Sequence, residues 1–448
     1  MSHLLFAVWP YPTHLHPFIA VAREVRARGH DVSFYSGGSA LATLAREGFR
    51  CFPFRAVGWS LVSHTVEDLI AGRKRPAAMR RLWPSFLVET VPAQMHDLEA
   101  ALAQWPPDAI VCDIAMWAPI LILRERLNLP VIALSHVAYA ILPGPEGPIQ
   151  GFAMQRRGRA WNALAASLAE RAAHLVTART RRRANALRRQ FGLAPLRVSV
   201  NRFTGSMPLY LVPGAPAFDR NRRDLPPSVR YVGPCLWDKP ADQPPPGWLQ
   251  RIPRHQPVVL VDEGALFIHE PRLLQMSARA LARLPLTVIL LAGEGRDPAS
   301  LGLGPLPPNI ILQAHAPLSD ILPIARALVT NGNSESVMAA LQAGLPMVVL
   351  PSIWDQAEMA CRVAETGAGL RVSGWRVTPA RLRRAVLRVL DEPSFRDRAT
   401  EMSAALARGG GPSCAASLID ELIVGQHSSP AAGLQTRDLA GRGRPARA

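Results

Sequence analysis

Short apolar runs alternate with stretches of helical period along most of the chain. Leu4 to Trp9, Asp31 to Tyr35, Ala109 to Cys112 and Val131 to Ser135 read as strands, and Pro17 to Arg28, closing on Arg-Gly-His, reads as a helix. Strands alternating with helices belong to a parallel sheet covered on both faces. Between Val212 and Pro257 the alternation stops and prolines crowd together, Pro244 to Pro246 consecutively, as in an irregular linker. It resumes with strands at Val258 to Val261, Leu286 to Leu291, Ile310 to Gln313, Ala327 to Thr330 and Met347 to Leu350, and a helix from Glu270 to Leu284. No repeat at a solenoid period is visible. The pattern predicts an α/β protein of two doubly wound parallel-sheet domains facing across a cleft. They span 1–211 and 257–424, joined by a proline-rich linker at 212–256 and followed by a disordered basic tail at 425–448.

A chain of 448 residues is too long for one ordinary core, so composition agrees with two units of roughly 200 residues. No apolar run reaches the roughly 18 residues of a membrane-spanning helix, and the N-terminus reads as a first strand rather than a signal peptide. Five scattered cysteines without metal spacing fit a reduced, cytoplasmic chain. The formal charge of +17 is carried almost wholly by arginine, Lys74 and Lys239 being the only lysines, a bias expected of a GC-rich bacterial coding sequence. Basic residues concentrate between Arg156 and Arg202. A solvated helix face accounts for them best, peripheral contact with an anionic membrane surface comes second, and nucleic acid comes last for want of aromatic interleaving or a motif.

In doubly wound sheets, ligands bind beyond the carboxyl ends of the strands. Three such places carry chemistry. Tyr11 to Pro17, YPTHLHP, puts His14 and His16 after the first strand, where an imidazole suits proton abstraction near neutral pH or merely caps the helix. Asp113 closes the strand in PPDAIVCDIAMW, where a carboxylate orients a neighbouring imidazole or caps a helix. In NGNSESVMAALQAGLPMVVLP, Asn331 to Pro351, Gly332 permits close approach and Asn333 to Ser336 supply backbone N–H groups at a helix start, either an anion site or a plain connector. Asp355 and Gln356 follow, with acceptors and donors suited to sugar hydroxyls. No dinucleotide glycine fingerprint, Walker motif or metal-ligand cluster is present, so no cofactor or metal is expected.

Taken in order, these segments resemble the nucleotide-sugar-dependent glycosyltransferases of the two-Rossmann (GT-B) fold, in the family-1, macrolide-glycosyltransferase-like group. The match lies in THLHPFIAVAREVRARGHDVSFYS near the N-terminus, YVGPCLW before the second domain, and the stretch from Ala316 to Leu370 that includes WDQAEMACRVAETGAGL. The resemblance implies an inverting, metal-independent hexosyltransferase using a UDP- or dTDP-sugar. His14 would be the base and Asp113 its partner. Gly264, His315, Asn331, Gly332, Asn333, Ser334, Ser336, Asp355 and Gln356 would bind the donor: His315 the nucleotide base, the 331–336 turn the diphosphate, Asp355 and Gln356 the sugar. The acceptor would be a hydrophobic natural-product or lipid hydroxyl met by Trp59, Trp83, Trp117 and Phe152, although about half of such aromatics are expected in a core. A monomer or homodimer is implied.

The sequence departs from the family pattern at several points. Asn331-Gly332-Asn333 stands for the usual His-Gly-Gly, Ala265 for a Ser or Thr, and His16 for the commoner Asn. Glu335 replaces a small residue at the helix start, where aimed inward it would repel a diphosphate, so it is expected to point away. Two alternatives stay open: a sugar-nucleotide 2-epimerase-type enzyme on the same fold, and a non-catalytic relative that binds a partner.

Overall fold

The computed structural model describes residues 1–58, 87–127, 129–144, 146–147, 177–239, 244–253, 255–264, 271–293, 296–353, 355–372 and 377–427. Among these, two parallel sheets account for the strands. The first comprises β1 (His3–Ala7), β2 (Asp31–Ser36), β3 (Arg50–Pro53), β4 (Ala109–Asp113), β5 (Val131–Leu134), β6 (Leu209–Val212) and β7 (Val229–Tyr231), in the order β3-β2-β1-β4-β5-β6-β7. The second comprises β8 (Val258–Asp262), β9 (Thr287–Leu291), β10 (Ile310–Gln313), β11 (Ala325–Thr330), β12 (Met347–Val349) and β13 (Gly369–Arg371), in the order β10-β9-β8-β11-β12-β13. β1, β4, β5 and β8 are buried almost throughout, as their unbroken apolar runs require. Each sheet reverses its winding once, between β1 and β4 and between β8 and β11. Those two switch points are where ligand crevices form.

The helices that matter below are α1 (Pro12–Ala27), α2 (Val91–Gln104), α3 (Arg272–Leu281), α4 (Ser334–Gln342), α5 (Gln356–Thr366), α6 (Pro379–Asp391), α7 (Pro393–Ala407) and α8 (Gly411–His427). α1 starts five residues earlier than the sequence predicts. Tyr11 is extended, Pro12 fits the first helical position because its missing N–H would be unbonded there, and the Tyr11 carbonyl accepts from the N–H groups of His14 and Leu15. Pro17 lies inside this helix and does not open it. His14 is therefore held in a helical turn and not on a loop.

The ends of the two units also differ from the predicted boundaries. β7 lies in the proline-rich stretch, where the proline-free Val229-Arg230-Tyr231 pairs in parallel with β6 and extends the first sheet. α8 runs past residue 424 and returns to the first unit, burying Ala415, Ala416, Ile419 and Ile423 in the cluster that holds Phe18, Ile19 and Ala22 of α1. Arg28 and His30 both reach Asp420, at 3.1 and 3.0 Å. Residues 428–448 of the predicted tail lie outside the described residues. In the arginine-rich stretch, Arg188 is buried, donating to the carbonyls of Leu121 and Ala194 and pairing with Glu125 at 2.7 Å. It bolts helix 177–190 to the first unit and leaves the solvated face to its neighbours. No helix among the described residues is long and apolar enough to cross a membrane.

A charged knot joins the two units. Arg362 of α5 is fully buried; it donates to Asp219 at 2.9 Å and to Glu358 at 3.0 Å, and its guanidinium lies 3.9 Å from the centre of the Tyr139 ring. Asp219 in turn accepts from the Ala140 N–H and the Tyr231 hydroxyl, both in the first unit. Around the knot Val137, Ala138, Tyr139 and Phe218 share one apolar cluster with Met338, Leu341 and Met359. Removing one partner of such a pair strands buried charge. Arg362→Ala is therefore predicted to cost about 3–5 kcal/mol of stability in urea unfolding. A loss below about 1 kcal/mol, the size of a surface pair, would show that the knot contributes nothing special.

Candidate active site in the interdomain cleft

The first half of the site forms at the switch point of the first sheet. In the parallel register Ala7 lies beside Cys112 and Asp113 beside Leu134, so the residues leaving β1, β4 and β5 emerge at one level. The polypeptide leaving β1 turns at Tyr11-Pro12 and presents His14 in the first turns of α1. Asp113 is the last residue of β4 and is fully buried. His136 follows β5 by two residues.

These three side chains converge. Asp113 Oδ2 takes a short hydrogen bond from His14 Nδ1. Asp113 Oδ1 accepts from His136 Nδ1 at 3.1 Å and from the Ala115 N–H at 2.8 Å. The imidazole rings of His14 and His136 are stacked, 3.7 Å between centres and 22° from parallel. Burial alone would raise the Asp113 carboxyl, but the two imidazoles outweigh it and hold the group well below the usual carboxylate range. Burial, and then His14, lowers the proton affinity of His136. An ionised carboxylate only accepts, so both Nδ1 atoms carry hydrogen and both Nε2 atoms keep a lone pair while the rings are neutral. Two imidazoles and a carboxylate are also a familiar metal-ligand set, and these lie within 4.8 Å of one another. Their stacking argues against it: in-plane lone pairs on near-parallel rings do not converge on one ion.

The second half forms at the other switch point. Gly332 has φ +90°, and a Cβ there would stand 2.8 Å from Val349 Cγ1 and 3.1 Å from the Gln356 carbonyl oxygen, so only glycine fits. Asn333 caps α4, its Oδ1 accepting from the Ser336 N–H at 2.9 Å. Asn331 is buried and holds two loops together: its amide donates to the Glu263 carbonyl, and its Oδ1 accepts from Asn333. Gly264 has φ +74° and packs against the Asn333 side chain. The Ser336 hydroxyl donates to Asp262, whose carboxyl is raised, chiefly by burial. Ser334 reaches the first unit, its Oγ accepting from the Ala138 N–H at 3.2 Å. The Gln356 carboxamide oxygen accepts from the backbone N–H groups of Ser352 and Ile353 and from the Ser352 hydroxyl. Asp355 immediately precedes α5; burial raises its carboxyl, and His136 works against that.

Glu335 points across the cleft. Its Oε1 lies 2.6 Å from His16 Nδ1 on α1, and the His16 ring meets Trp237 edge-on with centres 5.0 Å apart. The two departures from the family pattern therefore contact each other.

Other expected residues stand elsewhere. His315 is exposed after β10 and is not joined to the cluster by any described bond. Trp117 does not offer a free face: it is buried in the core beneath the first sheet, its indole N–H on the Ile114 carbonyl at 3.2 Å, because the chain turns at Ile114 and Ala115 and Trp117 already opens the buried apolar helical stretch that follows. Trp59, Trp83, Phe152 and Ala265 lie outside the described residues. His136 is the residue that sequence reasoning missed. The signal was present, since it leaves the carboxyl end of the strand beside β4, but the strand was read only as far as Ser135.

A cleft between two doubly wound sheets, with a carboxylate-backed histidine on one side and a glycine turn at a helix N-terminus on the other, defines a group-transfer site of the GT-B kind. Comparison with known proteins agrees. Residues 278–422 match the family model described as Erythromycin biosynthesis protein CIII-like, C-terminal domain. The chain is 32% identical over 429 residues to 4'-demethylrebeccamycin synthase of Lentzea aerocolonigenes, covering 94% of this chain and all of the relative. It is 26% identical to demethyllactenocin mycarosyltransferase of Streptomyces fradiae, over 96% of this chain and 88% of that one. The crystal structure of CalG4, the calicheamicin glycosyltransferase, superposes with a TM-score of 0.70 at 25% identity, over 96% of this chain and all of that one. The chain belongs to the GT-B glycosyltransferases of the family-1, macrolide-glycosyltransferase-like group.

The electrostatics of Asp113 give a pH-dependent prediction. Its folded proton affinity lies below the unfolded value of about 3.9, so its stabilisation is fully present above that pH and is lost as pH falls below it. In Asp113→Asn, the melting temperature should fall below wild type by a gap that is widest near neutrality and narrows below about pH 4. A gap independent of pH would contradict the assignment of ionised Asp113 as the anchor of the two rings.

Proposed function

We propose that the protein is an inverting, metal-independent glycosyltransferase. It moves a hexose from a UDP- or dTDP-sugar to a hydroxyl of a hydrophobic natural-product or lipid acceptor. One observation carries this reading: α1 presents His14 to Asp113 and, two residues on, His16 to Glu335 in the first turn of α4, so base and helix N-terminus face each other across one cleft. His14 Nε2 accepts the acceptor proton as the oxygen attacks the anomeric carbon, and Asp113 stabilises the imidazolium that forms. The diphosphate departs from the opposite face of the sugar toward the N-terminus of α4, whose N–H groups and dipole favour the developing charge. Attack and departure on opposite faces amount to a single displacement, hence inversion. Asp355 and the Gln356 NH2 group address sugar hydroxyls. The names of the two relatives, one a synthase of 4'-demethylrebeccamycin and one a mycarosyltransferase, support an acceptor and a donor sugar of that general kind.

Release of UDP or dTDP from the corresponding glucose donor, with a phenol such as 4-methylumbelliferone as acceptor, tests the base. His14→Ala should lower turnover by at least about 100-fold with the fold intact, and near-normal turnover would remove His14 from the role. Thermal shifts with UDP, dTDP and GDP sugars test the donor site; if none raises the melting temperature, the non-catalytic reading takes over. Glu335→Gln removes a negative charge from the turn that would receive the diphosphate. It should tighten dTDP or UDP binding by roughly threefold to tenfold, the size of one charge near a helix terminus. Weaker binding in this variant would mean that Glu335 helps to hold the donor.

A further inference from the structure

His136 lies where the chemistry is but has no part in the proton transfer assigned to His14. We propose that it is a positioning residue: by donating to the second oxygen of Asp113 and stacking on His14, it holds carboxylate and base in the one arrangement that presents Nε2 to the acceptor. The proposal rests on the reading of His14 as the base.

Three observations support it. Asp113 can orient an imidazole only if its own rotation is fixed, and His136 with the Ala115 N–H fixes the oxygen that His14 does not use. A histidine ring flipped about its terminal torsion exchanges Nδ1 for carbon, and a ring stacked at 3.7 Å restrains that flip. The segment that carries His136 continues to Ala138, whose N–H bonds Ser334 at the start of α4, and to Tyr139 under Arg362. The geometry of the base is thereby tied to the half of the molecule that holds the donor.

The charged and titratable groups facing His136 are His14 from α1, Asp113 from β4, and Asp355 at the start of α5, with Glu358 beyond it. Two stacked imidazoles sharing one carboxylate repel a second proton, and burial favours the neutral ring at His136. A neutral His136 that donates through Nδ1 steadies the anion without competing for the proton that His14 must take.

Asparagine separates this role from plain packing, because its amide nitrogen superposes on histidine Nδ1 and can still donate to Asp113. Protein labelled with 15N-histidine is titrated by NMR as wild type, His136→Asn and His136→Ala, with His14→Ala to assign the signals. dTDP release from dTDP-glucose and 4-methylumbelliferone is measured alongside, and melting confirms folding. In His136→Ala the full carboxylate charge falls to His14 and water enters. The midpoint of the His14 titration should rise by about one pH unit, the size of one hydrogen bond to a charged group, and kcat should fall roughly tenfold. His136→Asn should restore the midpoint and bring kcat to within about threefold of wild type. If the two variants behave alike in both readouts, or both leave the midpoint where it is, the proposal is overturned. Activity lost in His136→Asn as completely as in His14→Ala would overturn it differently, by making His136 the base. Should wild type release no dTDP, the transferase reading fails, while the NMR titration still decides whether His136 sets the state of His14.

Discussion

A single buried anion, Asp113, organises this molecule. A carboxylate without water must be paired, and the carboxyl end of β4 offers only what β1 and β5 deliver beside it. The parallel register sets Asp113 level with Leu134 and one residue beyond the Ala7 pairing, so the polypeptide leaving both neighbours passes within reach. The partners that arrive are His14 and His136, one to each oxygen. The demand that stabilises the fold is therefore the one that brings the two imidazoles together. A buried acid at a switch point becomes useful because the cheapest way to satisfy it is to place imidazoles at the mouth of the crevice.

The same economy joins the two units. α1 begins at Pro12, so His14 and His16 stand two residues apart on its first turns, one turned down to Asp113 and the other across to Glu335. The stretch after β5 repeats the arrangement: His136 belongs to the first unit's site, Ala138 to the start of α4, and Tyr139 to the charged knot around Arg362. Alternation of contacts along two short segments means that neither half of the cleft is positioned without the other. Arg362 adds to this by tying α5, which opens directly after Asp355, to Asp219 of the polypeptide arriving from the first sheet.

Much of this was legible in the sequence because burial on both faces writes strands as unbroken apolar runs. The doubly wound architecture, Asp113, His14 and the glycine turn at Gly332 followed from that and from where crevices form. What was not legible depended on tertiary company. Pro17 looks like a helix start, yet Pro12 is the first helical residue because extended Tyr11 supplies the carbonyl that closes the turn. β7 is three residues among prolines, a strand only because β6 is there to pair with it. α8 belongs to the first unit although it ends the second, since its apolar stripe finds α1 and not a neighbour in sequence. His136 stands 23 residues from its carboxylate, a distance set by the crossover between strands and not by any motif. Trp117 has the composition of a binding residue and the environment of a core.

The acidic residues at the start of α4 show why counting charges misleads. Asp262, Glu263 and Glu335 all stand near the start of α4, and on composition they make a poor place for a diphosphate. Each has a partner, however: the Ser336 hydroxyl for Asp262, Arg296 for Glu263 at 3.2 Å, and His16 for Glu335. Burial also raises the carboxyls of Asp262 and Glu263, which shifts both toward the neutral form. With these charges paired, the oriented N–H groups of the first turn favour an anion at the helix start. Of the three acids, Glu335 alone is matched by an imidazole. The charge of the turn is thus paired with a histidine on the opposite wall, on the same helix that carries His14.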